Sequence, residues 1–308
     1  MTDTSPTTNI LQRLRDELPT LSTREARAAR HLMANYPVAG LTTVAEFAEQ
    51  SGVSTATVLR LVKRLDFAIY ADFQAALRVH IEEQLQSPLV RLGSRQEAAS
   101  TPAGSFLDQF LDNMAHHLTT LRQHISRPEF EAITALLSDP RRDVHVLGGR
   151  YSSNLARYFT DLLIAVRGRV FLIDGQTQKW PQYLLDMNRN SVLVTIDVRR
   201  YQHDVIEFTR AASKRGATVV LLSDTWQSPA SRVADHVLDF PVTSPSIFDV
   251  LTIGLAVLEA LVGAVANSLG VAGKARIEML EELRKPLAPG ESEVNRTKSP
   301  NRASVRRE

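Results

Sequence analysis

Three short segments of this 308-residue chain carry residue types whose spacing could do chemistry. In the first, Ser54, Thr55 and Thr57 are followed at helical spacing by Arg60, Lys63 and Arg64, with no acid among them. Such a set can donate hydrogen bonds to base edges and phosphates. The second reads Gly148-Gly149-Arg150-Tyr151-Ser152-Ser153. Two glycines let the backbone turn sharply, and serines at the start of a helix set hydroxyls beside unpaired N–H groups, an arrangement suited to an anion. A plain strand-to-helix turn with a serine cap is the alternative. The third, Asp197-Val198-Arg199-Arg200, offers one carboxylate and two guanidiniums. Arginine binds phosphate or carboxylate bidentately, so an anionic ligand fits; Asp197 paired with the arginines would instead only stiffen the loop.

Other chemistries find little purchase. The chain has no cysteine, which excludes disulfides, thiolate metal sites and a cysteine nucleophile. His116 and His117 have no third ligand at metal spacing, and neither HExxH nor GxSxG occurs. Gly148, Arg150 and Ser153 stand where a dinucleotide fingerprint has three glycines, so Asp174 after the second strand is not read as a ribose-binding acid. His203, Asp204 and Glu207 could shuttle a proton, but one turn apart they read better as a charged outer face. The expectation is no catalytic residue, no metal and no cofactor.

The elements that must position these groups are legible. Up to residue 85 the periodicity predicts helices only, over 24–36, 44–50, 55–65 and 71–85. In the segment 42–67, Ala45, Phe47 and Ala48 form the small, apolar face of a first helix. Ser51-Gly52-Val53 makes the tight turn, with Gly52 free to take positive φ and Val53 plugging the angle. Ser54 caps the next helix, which is expected to present Thr55, Thr57, Arg60, Lys63 and Arg64 outward over a core of Val58, Leu61, Val62 and Leu65. With Thr43, these are the expected DNA-contacting residues, in the pattern of a helix-turn-helix.

Beyond residue 106 two helices lead into five short runs of Val, Leu and Ile at 144–147, 170–173, 192–196, 218–222 and 237–240. Helical stretches at 154–166, 179–187, 203–215 and 228–234 separate them, and a last one covers 248–268. This alternation predicts an α/β domain with a five-stranded parallel sheet whose ligand sits at the carboxyl ends of the strands.

On these residues, Ser54 to Val58 with Arg60, Lys63, Leu65-Asp66-Phe67, Tyr70 and Asp72-Phe73 resemble the helix-turn-helix of the RpiR family of bacterial transcription regulators. The family usually has glycine at the position of Asp66, a residue type that tolerates the left-handed conformation better than most. In order and spacing, residues 143–270 resemble the sugar isomerase (SIS) domain that follows this helix-turn-helix in the family and binds phosphosugars. The resemblance implies a cytoplasmic, dimeric or higher oligomeric regulator that binds operator DNA and a carbohydrate derivative; a sugar-phosphate isomerase with an accessory helical domain is the alternative. It further implies effector contacts from Gly148, Gly149, Arg150, Ser152, Ser153, Asp197, Arg199, Arg200 and Ser246. Two departures stand out: Arg150 replaces the second glycine of Gly-x-Gly-x-Ser, and Asp197-Val198-Arg199-Arg200 replaces Ser-x-Ser-Gly. An anionic effector remains expected, though not an unmodified phosphosugar site.

Domain limits follow: 6–85 for the helix-turn-helix, a linker rich in Ser, Pro and Gly at 86–105, the effector domain at 106–285 with its core at 128–270, and a disordered basic tail at 286–308. A net charge of +2 hides that tail, where basic residues outnumber acids. The stretch 250–266 holds a single charge, Glu259, and is predicted to be a helix buried in a domain rather than a membrane span. Residues 1–9 lack a basic-then-apolar leader pattern, in keeping with a protein that stays in the cytoplasm.

Overall fold

The computed structural model describes residues 10–85, 92 and 105–287; the expected linker and the tail beyond residue 287 lie largely outside these. The N-terminal domain consists of α1 (Ile10–Glu17), α2 (Thr23–Ala34), α3 (Val38–Leu41), α4 (Val44–Ser51), α5 (Thr55–Arg64) and α6 (Tyr70–Leu85). Leu14, Leu32, Phe47, Val58, Leu61 and Phe73 form its core, each fully buried. Two capping boxes start helices: Ser22 with Glu25 opens α2, and Thr43 with Glu46 opens α4. Ala45, expected on the packing face of α4, stands exposed, because that face is set by Phe47, Ala48 and Ser51 one turn on.

The second domain begins with α7 (Phe106–His124) and α8 (Arg127–Ser138). Five strands follow, β1 (Asp143–Gly148), β2 (Val170–Ile173), β3 (Ser191–Asp197), β4 (Thr218–Asp224) and β5 (His236–Phe240), all parallel in the order β2-β1-β3-β4-β5. Ile133 and Leu137 of α8 and Leu155, Phe159 and Leu163 of α9 (Ser153–Val166) cover one face, together with Ile253, Val257 and Leu261 of the last helix, α12 (Thr252–Arg284). Trp180 and, from α11 (His203–Lys214), Val205 and Phe208 cover the other. With helices on both faces, β3 is buried at every residue, which is why the strands read as continuous apolar runs.

Three of the predicted helical stretches differ from the sequence reading, one being 228–234, which folds as the 3-10 helix Pro229–Val233. The stretch 179–187 folds only as a 3-10 turn, Thr177–Lys179, and the single-turn α10, Pro181–Leu184, where Pro181 interrupts the pattern. The last helix starts later than 248, breaks close to its expected end at 268, and continues in a second part beyond the break. It is α12, Thr252–Arg284, broken at Gly270 with φ 51° and ψ −120°. Among the described residues α12 is the one helix long and apolar enough to cross a bilayer by length and composition. Its Ile253, Gly254, Val257, Leu258, Leu261 and Val265 are buried along one face against the sheet layer, and Tyr158 donates to the Glu259 carboxylate at 2.8 Å.

The chain leaves β1 toward β2 on one side and returns to β3 on the other, so the strand order reverses between β1 and β3. Open sheets of this kind bind ligands at that reversal, beyond the strands' carboxyl ends. Both loops singled out in the sequence lie there.

Candidate functional site

In the N-terminal domain the tight turn forms as expected. Gly52 adopts φ 64°, Val53 is half-buried against the core, and the Ser54 hydroxyl accepts from the Thr57 N–H. Helix α5 ends at Arg64, and Asp66 takes φ 64°, the left-handed conformation expected at that position. On α5, Thr55, Ala56, Leu59, Arg60, Lys63 and Arg64 are exposed.

Thr57 is not: it is fully buried, which corrects its expected outward placement. It falls on the stripe of Val58, Leu61 and Val62, and its hydroxyl lies 3.0 Å from the Ser54 hydroxyl while accepting from Arg60 Nη2 at 3.3 Å. Thr57 therefore orients Arg60 from beneath. Arg64 is held within the domain, at 3.4 Å from Glu17 and 4.0 Å from Glu25. The Ser22 hydroxyl first, then Arg64 and Arg60, keep the Glu25 carboxyl below its ordinary range. Thr43 exchanges hydrogen bonds with Glu46, so its hydroxyl is engaged in capping α4.

Arg60 and Lys63 are thus the cations aimed outward on α5. Sequence reasoning missed Arg24, Arg27 and Arg30, exposed on α2, of which Arg27 reaches over the Gly52 turn. Their three-residue spacing is a readable stripe, but only the packing of α2 against α5 sets it beside the turn.

In the second domain the loops after β1 and β3 meet. The Ser152 hydroxyl accepts from the Gly149 N–H at 2.8 Å and donates to the Ile196 carbonyl at 2.6 Å, tying the first loop to the end of β3. It makes no cap on α9. Gly148 is required by close approach, since a Cβ there would stand 2.5 Å from the Ser152 carbonyl oxygen. Ser153 donates to the Arg150 carbonyl, and the Arg150 N–H donates to the side-chain oxygen of Gln202, which closes over Gly149. The Arg150 and Arg200 side chains are exposed, and among the described residues neither guanidinium has an ion-pair partner.

Asp197 and Arg199 point elsewhere. Asp197 is 1% exposed and accepts from the Ser228 hydroxyl in the loop after β4. Burial raises its carboxyl to about 7, opposed by that hydrogen bond and one from the Gln202 N–H. Arg199 is buried: Nη2 and Nε lie 2.6 and 2.9 Å from Asp249 Oδ1, and the guanidinium carbon sits 4.1 Å above the Trp226 ring. Its N–H donates at 2.6 Å to Asp224, whose other oxygen accepts from Tyr201 at 2.8 Å. Burial raises the Asp224 carboxyl to about 6, and its Arg199 N–H contact offsets part of that.

The alternative in which Asp197 pairs with the arginines is not what forms: Arg199 pairs with Asp249, Asp197 bonds Ser228, and Arg200 is exposed. Both Asp197 and Asp224 are enclosed and hydrogen-bonded, so neither is exposed to a substrate proton. Ser246 accepts from the Phe248 N–H in the segment that carries Asp249.

Sequence reasoning missed Gln202 and Asp249; it places Asp224, Trp226 and Ser228 in the loop after the fourth strand, at the ligand end of the sheet, without assigning them a contact. No short-range pattern links 199 to 249; the sheet brings them together. Outside this cluster His117 donates to the Thr243 carbonyl, Glu207 pairs with Arg210, Asp204 accepts from Thr177 and Asp174 pairs with Arg157. No cluster of three or more metal-binding side chains occurs among the described residues. A cleft joins the two domains, lined by Tyr36 and Pro37 on one side and Trp226, Ser228, Pro229 and Arg232 on the other. Ser228, the partner of Asp197, thus borders the helical domain.

Residues 8–87 match the helix-turn-helix domain of the rpiR family, and residues 136–264 match the SIS domain. An uncharacterized HTH-type transcriptional regulator of Clostridium perfringens is 22% identical over 208 residues, covering 66% of this chain and 70% of that protein. The NanR protein of Vibrio vulnificus, solved in complex with ManNAc-6P, shares 20% identity with a TM-score of 0.52. That match covers 92% of this chain and all of NanR. The sugar isomerase domain of an RpiR transcription factor from Sphaerobacter thermophilus shares 21% identity with a TM-score of 0.54, over 58% of this chain and 99% of that domain. At these identities the solved structures establish the fold. With both domains matched in order along one chain, this protein belongs to the RpiR family of transcriptional regulators, a helix-turn-helix joined to a SIS domain.

Proposed function

We propose that the protein is a cytoplasmic, non-enzymatic regulator that binds operator DNA through α5 and whose SIS domain senses a small anionic metabolite, a sugar phosphate or related carbohydrate derivative. The observation that carries the DNA half is the outer face of α5, where Arg60 and Lys63 stand exposed behind a serine-capped turn. The sensing half rests on the exposed guanidiniums of Arg150 and Arg200, which flank the start of α9 at the strand reversal. NanR, of the same fold, was solved with ManNAc-6P, which supports this ligand class. Asp197 and Asp224, sealed beneath the loops, favour a binding role over proton transfer.

In this reading the SIS domains pair two chains into a dimer or higher oligomer and set the spacing of their helix-turn-helix heads. An effector must bind one head arrangement better than the other, since equal affinity for both shifts nothing. The contact between Asp197 and Ser228, which borders the helical domain, offers a route for that difference. The test is thermal unfolding against a panel of sugar phosphates that includes ManNAc-6P, with Arg150→Ala and Arg200→Ala alongside. A stabilising metabolite lost on the double replacement, while DNA binding persists, is expected. Equal stabilisation of wild type and double variant refutes the assigned pocket, and turnover of any panel member refutes the non-enzymatic reading.

A further inference from the structure

On α5 the row Thr55, Leu59 and Lys63 runs down the middle of the exposed face, with Ala56 and Arg60 in the row beside it. Leu59 is 41% exposed. It is absent from the domain core, whose α5 members are Val58, Leu61 and Val62. The middle of the face thus carries a leucine and an alanine, with a cation at each of the next positions, Arg60 and Lys63. An exposed helix position is filled as well by Lys, Gln or Glu as by Leu, so the core does not demand an apolar side chain at 59.

The occupant of this face must satisfy both its charge and its apolar centre. A DNA major groove supplies phosphates and acceptor edges for Lys63 and Arg60. Its one projecting apolar group is the thymine C5-methyl, which pairs with alkyl side chains. A groove offering only polar edges would strip water from Leu59 and return nothing. We infer that Leu59, with Ala56 forming the floor beside it, is a specificity-determining contact for thymine methyl groups in the operator. This inference rests on the DNA-binding reading above. It assigns sequence discrimination to an apolar pair, while the neighbouring cations hold phosphate or guanine.

The experiment selects duplexes from a random-sequence library with the full-length protein, then replaces each dT of the selected half-site by dU, which removes only the methyl. Wild type should lose affinity about four-fold for each methyl that Leu59 covers, from the value of one buried methyl group, at one or two positions per half-site. Leu59→Ala should bind the dT and dU duplexes alike at those positions. Because Leu59 lies outside the core, the variant's melting temperature should match wild type and so certify its fold. Two results overturn the inference: wild type indifferent to every dT-to-dU change, or Leu59→Ala retaining the wild-type sensitivity. Arg60→Ala separates the two claims, because it should weaken dT and dU duplexes equally. If the library yields no enriched duplex, the DNA-binding reading fails and the inference fails with it.

Discussion

Replacing Asp249 by asparagine asks whether Arg199 serves the architecture or the ligand. The Arg199 side chain is 3% exposed and that of Asp249 22%, with the guanidinium clamped between this carboxylate and the Trp226 ring. Asparagine keeps the shape and one acceptor oxygen but removes the charge, leaving the guanidinium's positive charge enclosed without its carboxylate. Breaking a buried ion pair costs about 3–5 kcal/mol, and the partial exposure of Asp249 argues for the lower end. In a domain of this size about 1 kcal/mol moves the midpoint by roughly 2–4 °C. The SIS domain of Asp249→Asn should therefore melt roughly 6–12 °C lower.

The second arm adds Arg199→Met, which removes the stranded charge and leaves an unbranched apolar chain against Trp226. The double variant should recover most of the loss, since exchanging a buried pair for apolar groups of similar volume is often neutral or stabilising. Urea and thermal unfolding followed by near-ultraviolet circular dichroism, where Trp226 reports, would read both effects. An Asp249→Asn loss under about 1 kcal/mol, or a double variant equal to the sum of the singles, would refute the reasoning.

Arg60→Ala should weaken binding to a selected operator by about 1–3 kcal/mol. Thr57→Val should weaken it by about 1 kcal/mol and add nothing in the Arg60→Ala background, because Thr57 acts through Arg60; additive losses in gel shifts would contradict this. Asp197 sets a pH dependence: between an unfolded value near 3.9 and about 7 in the fold, the native state keeps a proton that the unfolded state releases. Stability should thus fall as pH rises through that window and level off above it, and Asp197→Asn should flatten the trend, with equal slopes in wild type and variant as the refuting result. Gly148→Ala sets a methyl 2.5 Å from the Ser152 carbonyl oxygen, and should cost about 1–3 kcal/mol by crowding and abolish metabolite-induced stabilisation. An unchanged melting curve would show that the loop yields.

Local signals in the sequence determined the helix-turn-helix, the parallel α/β domain and the places of both loops. A capped turn, a left-handed residue and a two-faced apolar strand are encoded within a few residues of themselves: Ser54 caps, Gly52 and Asp66 turn, and β3 is buried throughout. Short-range pattern fails where a side chain's role depends on what packs against it. An outward Thr57 follows from its hydroxyl alone; four residues before Leu61, it falls on the buried stripe, beneath Arg60. Arg199 read as a ligand contact, yet the sheet sets it against Asp249, fifty residues on, and Trp226. The pattern also ends the last helix near its break at Gly270 and misses the second half, which is largely exposed and so carries little apolar periodicity. Tertiary structure alone decided that Arg64 and Arg199 are paired within the fold, because an arginine's charge is fixed by its chemistry while its partner is fixed by what packs beside it.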